Sequence, residues 1–134
     1  MTVKLSTEDI RFIAAFEKLT KVHARDCIMT DSGLYFLVEP SRVGLAIGKD
    51  EKSVKHVSKV LGKPVKVFAD AETPEEMVKS LIPRVKSVER SGDNITITIA
   101  PQDRSLVIGK GGSNINMIKT LLKRHFGIQD VRLR

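Results

Sequence analysis

The 134-residue sequence has no tryptophan, one tyrosine and five phenylalanines. That scarcity excludes a surface built to stack bases on a sheet of exposed aromatic rings. One cysteine, Cys27, means that no internal disulfide can form. A lone thiol of this kind reads as a buried structural group ahead of a nucleophile. No apolar run approaches the roughly 20 residues needed to cross a bilayer. The start, MTVKLSTEDI, has no apolar signal-peptide core. Together these predict a cytoplasmic protein with no membrane partner. The three histidines, His23, His56 and His125, are too scattered for metal-ligand spacing. No paired carboxylates suggest acid–base chemistry. The expectation is a protein that is not an enzyme and holds no metal or cofactor.

What the sequence has is positive charge and repetition. Lys and Arg number 23 against 16 Asp and Glu, a net charge of +7. Such an excess points to an anionic partner, with nucleic acid ahead of a membrane surface. Residues 40–49 read PSRVGLAIGK and residues 101–110 read PQDRSLVIGK. At the same spacing of 61, Leu45 matches Leu106, Ile47 matches Ile108, Val54 matches Ile115, Val57 matches Ile118 and Leu61 matches Leu122. The agreement runs through the glycines into the pattern that follows, which chance does not explain.

The flanks repeat as well. TEDIRFIAAFEKLT (7–20) opens with a Thr cap and acids, then sets Ile10, Ile13 and Phe16 or Glu17 at helical spacing. TPEEMVKSLI (73–82) opens the same way, with Pro at the first helical position and Met77, Val78, Leu81 and Ile82 as its apolar face. Each predicted helix is followed by a hairpin signal: RDCIM and LYFLVE about Asp31-Ser32-Gly33, then VKSVER and ITITIA about Ser91–Asn94. Thr96 and Thr98 alternate with isoleucines, as in a strand with one wet face. Gly62 and Gly127 are expected helix stops, and PVKVF (64–68) and VRL (131–133) are expected closing strands. The order in each half is α-β-β-α-α-β, an α+β two-layer class, with modules at 1–70 and 71–134 and a nearly fixed relation between them.

The stretch VIGKGGSNI (107–115) carries the chemistry. Missing side chains at Gly109, Gly111 and Gly112 let a sugar–phosphate backbone lie against the main chain. The start of the following helix offers unpartnered N–H groups and the positive end of its dipole, which suits a phosphate. Lys110 adds a charge on a flexible stem, and Leu106, Val107, Ile108 and Ile115 offer an apolar wall for bases. The spacing does not fit GxxxxGK[ST] or GxGxxG. A plain helix-turn-helix corner is the bland alternative. The recurrence of the loop and the basic balance favour the anion reading. Lys119, Lys123, Arg124 and His125 crowd one helix end, where they either track phosphates or complement the helix dipole.

With these elements and this loop, the chain resembles the K homology (KH) domain in its type II arrangement, written twice in tandem. Ala24-Arg25-Asp26-Cys27 and Gly44–Lys49 are also similar to the archaeal NusA-like transcription termination factors. The resemblance implies a protein that clamps about four nucleotides of single-stranded RNA beside the loop. It implies contact with RNA at Ile108, Gly109, Lys110, Gly111, Gly112, Ser113, Ile115 and Lys119, and more weakly at Ile47, Gly48, Lys49 and Lys52. It implies action with RNA polymerase on pausing, termination or antitermination, and the chain is expected to be a monomer. The first loop departs from the pattern as Gly48-Lys49-Asp50-Glu51. Its two carboxylates compete for the site an anion would use, so the first module is expected to bind RNA weakly. A ribosomal-RNA processing or ribosome-assembly factor, or a protein-interaction adaptor, is the alternative.

Overall fold

The computed structural model describes residues 7–134, which fold as two compact units divided at Asp70 and Ala71. Both are mixed α and β. The first contains α1 (Thr7–Thr20), β1 (Ala24–Thr30), β2 (Gly33–Val38), α2 (Val43–Ile47), α3 (Lys52–Leu61) and β3 (Val65–Ala69). The second repeats that order with α4 (Pro74–Leu81), β4 (Ser87–Ser91), β5 (Asn94–Thr98), α5 (Arg104–Ile108), α6 (Ser113–Phe126) and β6 (Asp130–Leu133). Each unit has one three-stranded sheet. Its middle strand pairs antiparallel with the strand before it and parallel with the last one. A parallel pair requires a crossover, and here the crossover is the helix pair that flanks the glycine loop.

Local chemistry explains the boundaries. Thr73 caps α4, its hydroxyl accepting from the Glu76 N–H at 3.2 Å, and Pro74 needs no partner for the donor it lacks. Gly62 and Gly127 end α3 and α6 in the left-handed conformation, as expected. The cap expected at Thr7 lies outside the described side chains. Both hairpin turns are tighter than the sequence suggests: only Asp31-Ser32 and Gly92-Asp93 stand outside the strands, because Gly33, Ser91 and Asn94 join the ladders.

In the first unit, Phe16 of α1 stacks on Phe36 of β2 with ring centroids 4.2 Å apart. Ile13, Leu34, Val38, Ala46 and Val57 close around that pair. Ile10 does not join them and is 55% exposed. Two steps of three residues fall about 120° short of two full turns, so Ile10 has rotated off the face that Phe16 occupies. Phe12 and Leu19 pack there instead. In the second unit, Met77, Ile95, Ile97, Ile118 and Leu122 are fully buried, and Thr96 and Thr98 keep the wetter face of β5.

Gly33 sits where no other residue fits. Its φ is 137°, and a Cβ on it would lie 2.3 Å from the Pro64 carbonyl oxygen. That oxygen accepts from the Leu34 N–H at 2.8 Å. The turn of the hairpin therefore passes backbone against backbone over the start of β3.

Candidate nucleic-acid interface

The two loops have nearly the same backbone. Gly48 (φ 79°, ψ 167°) and Gly109 (φ 76°, ψ 174°) end α2 and α5 in a conformation reserved for glycine. A Cβ at Gly109 would stand 2.7 Å from the Asn114 Cβ and 2.9 Å from its backbone nitrogen, and one at Gly48 would stand 2.6 Å from the Ser53 hydroxyl. Packing inside the chain alone demands these two glycines.

Gly111 and Gly112 differ. A Cβ at Gly111 would meet nothing within 4 Å, and one at Gly112 nothing nearer than 3.6 Å. Both have positive φ, 61° and 78°, yet the first loop holds the same left-handed conformation with Asp50 (φ 56°) and Glu51 (φ 60°). The fold therefore accepts side chains at these positions, at a backbone cost of roughly 1–2 kcal/mol each. What the glycines provide is clear space in front of the start of α6. Lys110 and Gly111 are exposed beside it.

The loop is less open to an anion than its sequence suggests. The Gly112 N–H donates to the Gly109 carbonyl at 3.2 Å, and the Ser113 N–H to that of Lys110. Ser113 is buried, and so is Val107 of the expected apolar wall, so both are withdrawn from the surface. Ile108, Gly109, Gly112 and Ile115 are half-buried along the loop, and Lys119 is exposed one turn further along α6. Asn114 latches the loop from behind, its amide donating to the Val107 carbonyl at 2.8 Å. Leu106 is 74% exposed and lines an open pocket with Ile82, Val107, Asn114 and the Arg84–Asp103 ion pair.

In the first unit the structure places a wall that the sequence reading missed. Ile47, Glu51 and Val54 line an open cleft against Val65, Lys66, Val67 and Phe68 of β3. Lys66 also lies 6.0 Å from the centre of the Tyr35 ring, which stacks on Phe68. Gly48 is half-buried in the loop, and Lys49 and Lys52 are exposed beside it. The Glu51 carboxylate stands at this cleft, with Lys55 3.9 Å away. In the second unit Arg132 occupies the register position of Lys66, opposite Thr96 as Lys66 is opposite Tyr35. One signal that could have found this wall is the basic residue in the middle of each closing strand. Among the described residues no group of acids, histidines and cysteine is placed to hold a metal, and no helix is long and apolar enough to cross a membrane.

The KH-domain family model matches residues 75–134, the second unit. Over 99% of its length the chain is 34% identical to the "Probable transcription termination protein NusA" of Halobacterium salinarum and covers 99% of that protein. It is 36% identical to the protein of the same name in Halococcus morrhuae, again with 99% of both chains covered. The Methanocaldococcus jannaschii protein of that name is 31% identical over 98% of this chain and 75% of its own length. The crystal structure of APE1850 superposes with a TM-score of 0.80 at 30% identity, over 97% of this chain and all of that one.

Proposed function

The chain belongs to the archaeal KH-domain family of proteins named probable transcription termination protein NusA, and from that premise we propose that it is a non-enzymatic, single-stranded RNA-binding transcription factor. Both units, 1–70 and 71–134, act as type II KH modules. The second module carries the main RNA contact. The RNA backbone passes over Gly111 and Gly112, Lys110 and Lys119 meet phosphates, and Ile108 and Ile115 border the bases. The protein acts as a monomer in the cytoplasm, with RNA polymerase as its partner in pausing and termination. The observation that carries this reading is the clear space at Gly111 and Gly112, which packing within the chain does not require.

The test is an equilibrium titration of the protein with a short unstructured RNA at several salt concentrations, followed by transcription assays with polymerase. Binding should weaken with salt at a slope of roughly 0.7 per phosphate contacted, and added protein should shift the yield at pause or termination sites. Salt-dependent binding with no effect on transcription would move the reading to ribosomal RNA. No binding would leave the adaptor reading.

A gain-of-function variant follows from the first loop. Asp50→Gly/Glu51→Gly removes two carboxylates and relieves two left-handed residues. The strain relieved, roughly 1–2 kcal/mol per residue, is about half offset by 0.5–1 kcal/mol of glycine chain entropy per residue. The exposed Glu51–Lys55 pair adds little. Stability should thus rise by about 1–2 kcal/mol, while affinity for RNA rises roughly threefold to tenfold. Fluorescence anisotropy with an RNA long enough for both modules reads this out. An unchanged affinity would show that the carboxylates are not what restrains the first loop.

A further inference from the structure

The positive charge of the first unit is segregated. Between Lys52 and Lys66 there are five lysines and no Asp or Glu, whereas the rest of residues 1–70 holds seven Lys and Arg against nine Asp and Glu. A face serving only solubility does not need this separation, since interspersed charge serves as well. The structure also gives the segregated lysines a direction. α3 turns Val57 into the core, with Val54 and Leu61 half-buried beside it. At 100° per residue, Lys52, Lys55 and Lys59 lie within about 60° of one another on the opposite side. All three are exposed, and Lys63 continues their line past the Gly62 cap. Lys55 lies 3.9 Å from Glu51, in a pair exposed enough to contribute little.

We infer that the outward face of α3, carried by Lys55, Lys59 and Lys63, is a second RNA-contacting surface that binds phosphates away from the loop. This rests on the proposed function and extends it. The lysines from 52 to 59 span about 10 Å along the helix axis, and Lys63 lengthens the track, enough for about three successive phosphates. Such a surface reads no bases. It adds affinity for long RNA through counterion release, and it gives the first unit a contact that does not depend on its carboxylate-bearing loop. Contacts of this kind position a nucleic acid without specifying its sequence.

The experiment compares the full chain with Lys55→Gln/Lys59→Gln/Lys63→Gln and with the triple Lys→Arg variant, against uridylate RNAs of 5 and 30 nucleotides. Gln and Arg match Lys in helix propensity, and circular dichroism checks that both variants fold. The Gln variant should bind the 5-mer like the parent, bind the 30-mer about tenfold more weakly and lose roughly 2 from the salt slope. The Arg variant should behave like the parent. A 30-mer affinity indifferent to the Gln variant overturns the inference while leaving the loop reading intact. Equal weakening by Gln and Arg overturns it too, because charge would not be the cause. Stripe-dependent binding to phosphatidylserine vesicles, with the 30-mer unaffected, would reassign the face to a membrane. Failure of the parent to bind either RNA takes the proposed function down together with it.

Discussion

Gly111→Asp/Gly112→Glu, which copies the first loop onto the second, is expected to weaken binding of a short single-stranded RNA roughly 30- to 100-fold, about 2–3 kcal/mol. The estimate follows from the chemistry at the start of α6. Charge-assisted contacts to a phosphate contribute roughly 1.5–3 kcal/mol each. The variant fills the clear space at both positions and sets two negative charges beside Lys110. Its fold should survive, because the protein already contains the answer: Asp50 and Glu51 hold the same left-handed backbone in the first loop. A Cβ at either glycine meets nothing closer than 3.6 Å. After the glycine entropy is offset, the stability cost should be about 1–2 kcal/mol. Urea titration checks the stability and anisotropy the affinity. Retained RNA affinity in a folded variant would make the loop a structural corner and place the RNA contact elsewhere on the chain.

Gly33→Ala should do the opposite, leaving the loops alone and removing the first unit. At φ 137° an L side chain is strained, and the Cβ would stand 2.3 Å from the Pro64 carbonyl oxygen. The obstacle is backbone, so no side chain can swing away. Relief requires moving Pro64, which breaks the Leu34 N–H bond to it and disturbs the β2–β3 register that opens with Leu34 and Val65. A loss of about 3 kcal/mol or more is expected. That is a large share of the stability of so small a unit. Hydrogen exchange should then show β1, β2 and β3 losing protection. Gly44→Ala is the internal contrast: it lies in α2 at a negative φ with nothing within 4 Å, and it should stabilise by about 0.5–1 kcal/mol. If both substitutions cost the same, steric exclusion at Gly33 is not the cause.

The element order and the glycine loop were legible because their signals are local. Thr73 before Pro74, the glycines after α3 and α6, and the echo of IGK each announce themselves within a few residues. Ile10 misled because apolar spacing by three alone drifts around a helix, and only the fourth-residue steps bring it back. The wall formed by β3 was hidden for a different reason. Val65–Phe68 reach Ile47 only through parallel pairing with β2, a contact between segments far apart in the chain. The repeat gave no help there: α6 runs on to Phe126 where α3 stops at Leu61, so the closing strands fall out of step. The sequence also named Asp50 and Glu51 as obstacles without revealing the backbone they keep. Side-chain identity says what a loop presents, whereas its path is set by the helices at either end.

That retained path bears on how the first loop can change over generations. Codons for Asp and for Glu both become glycine codons by one transition, A to G at the second base. The first loop therefore stands two single-base changes from a GKGG loop, and its backbone already has the shape that loop needs. No helix has to shift and no packing has to be reinvented along the way, so each intermediate folds. A lineage can switch the first loop between restrained and open, in either direction, while the scaffold around it stays under unbroken selection.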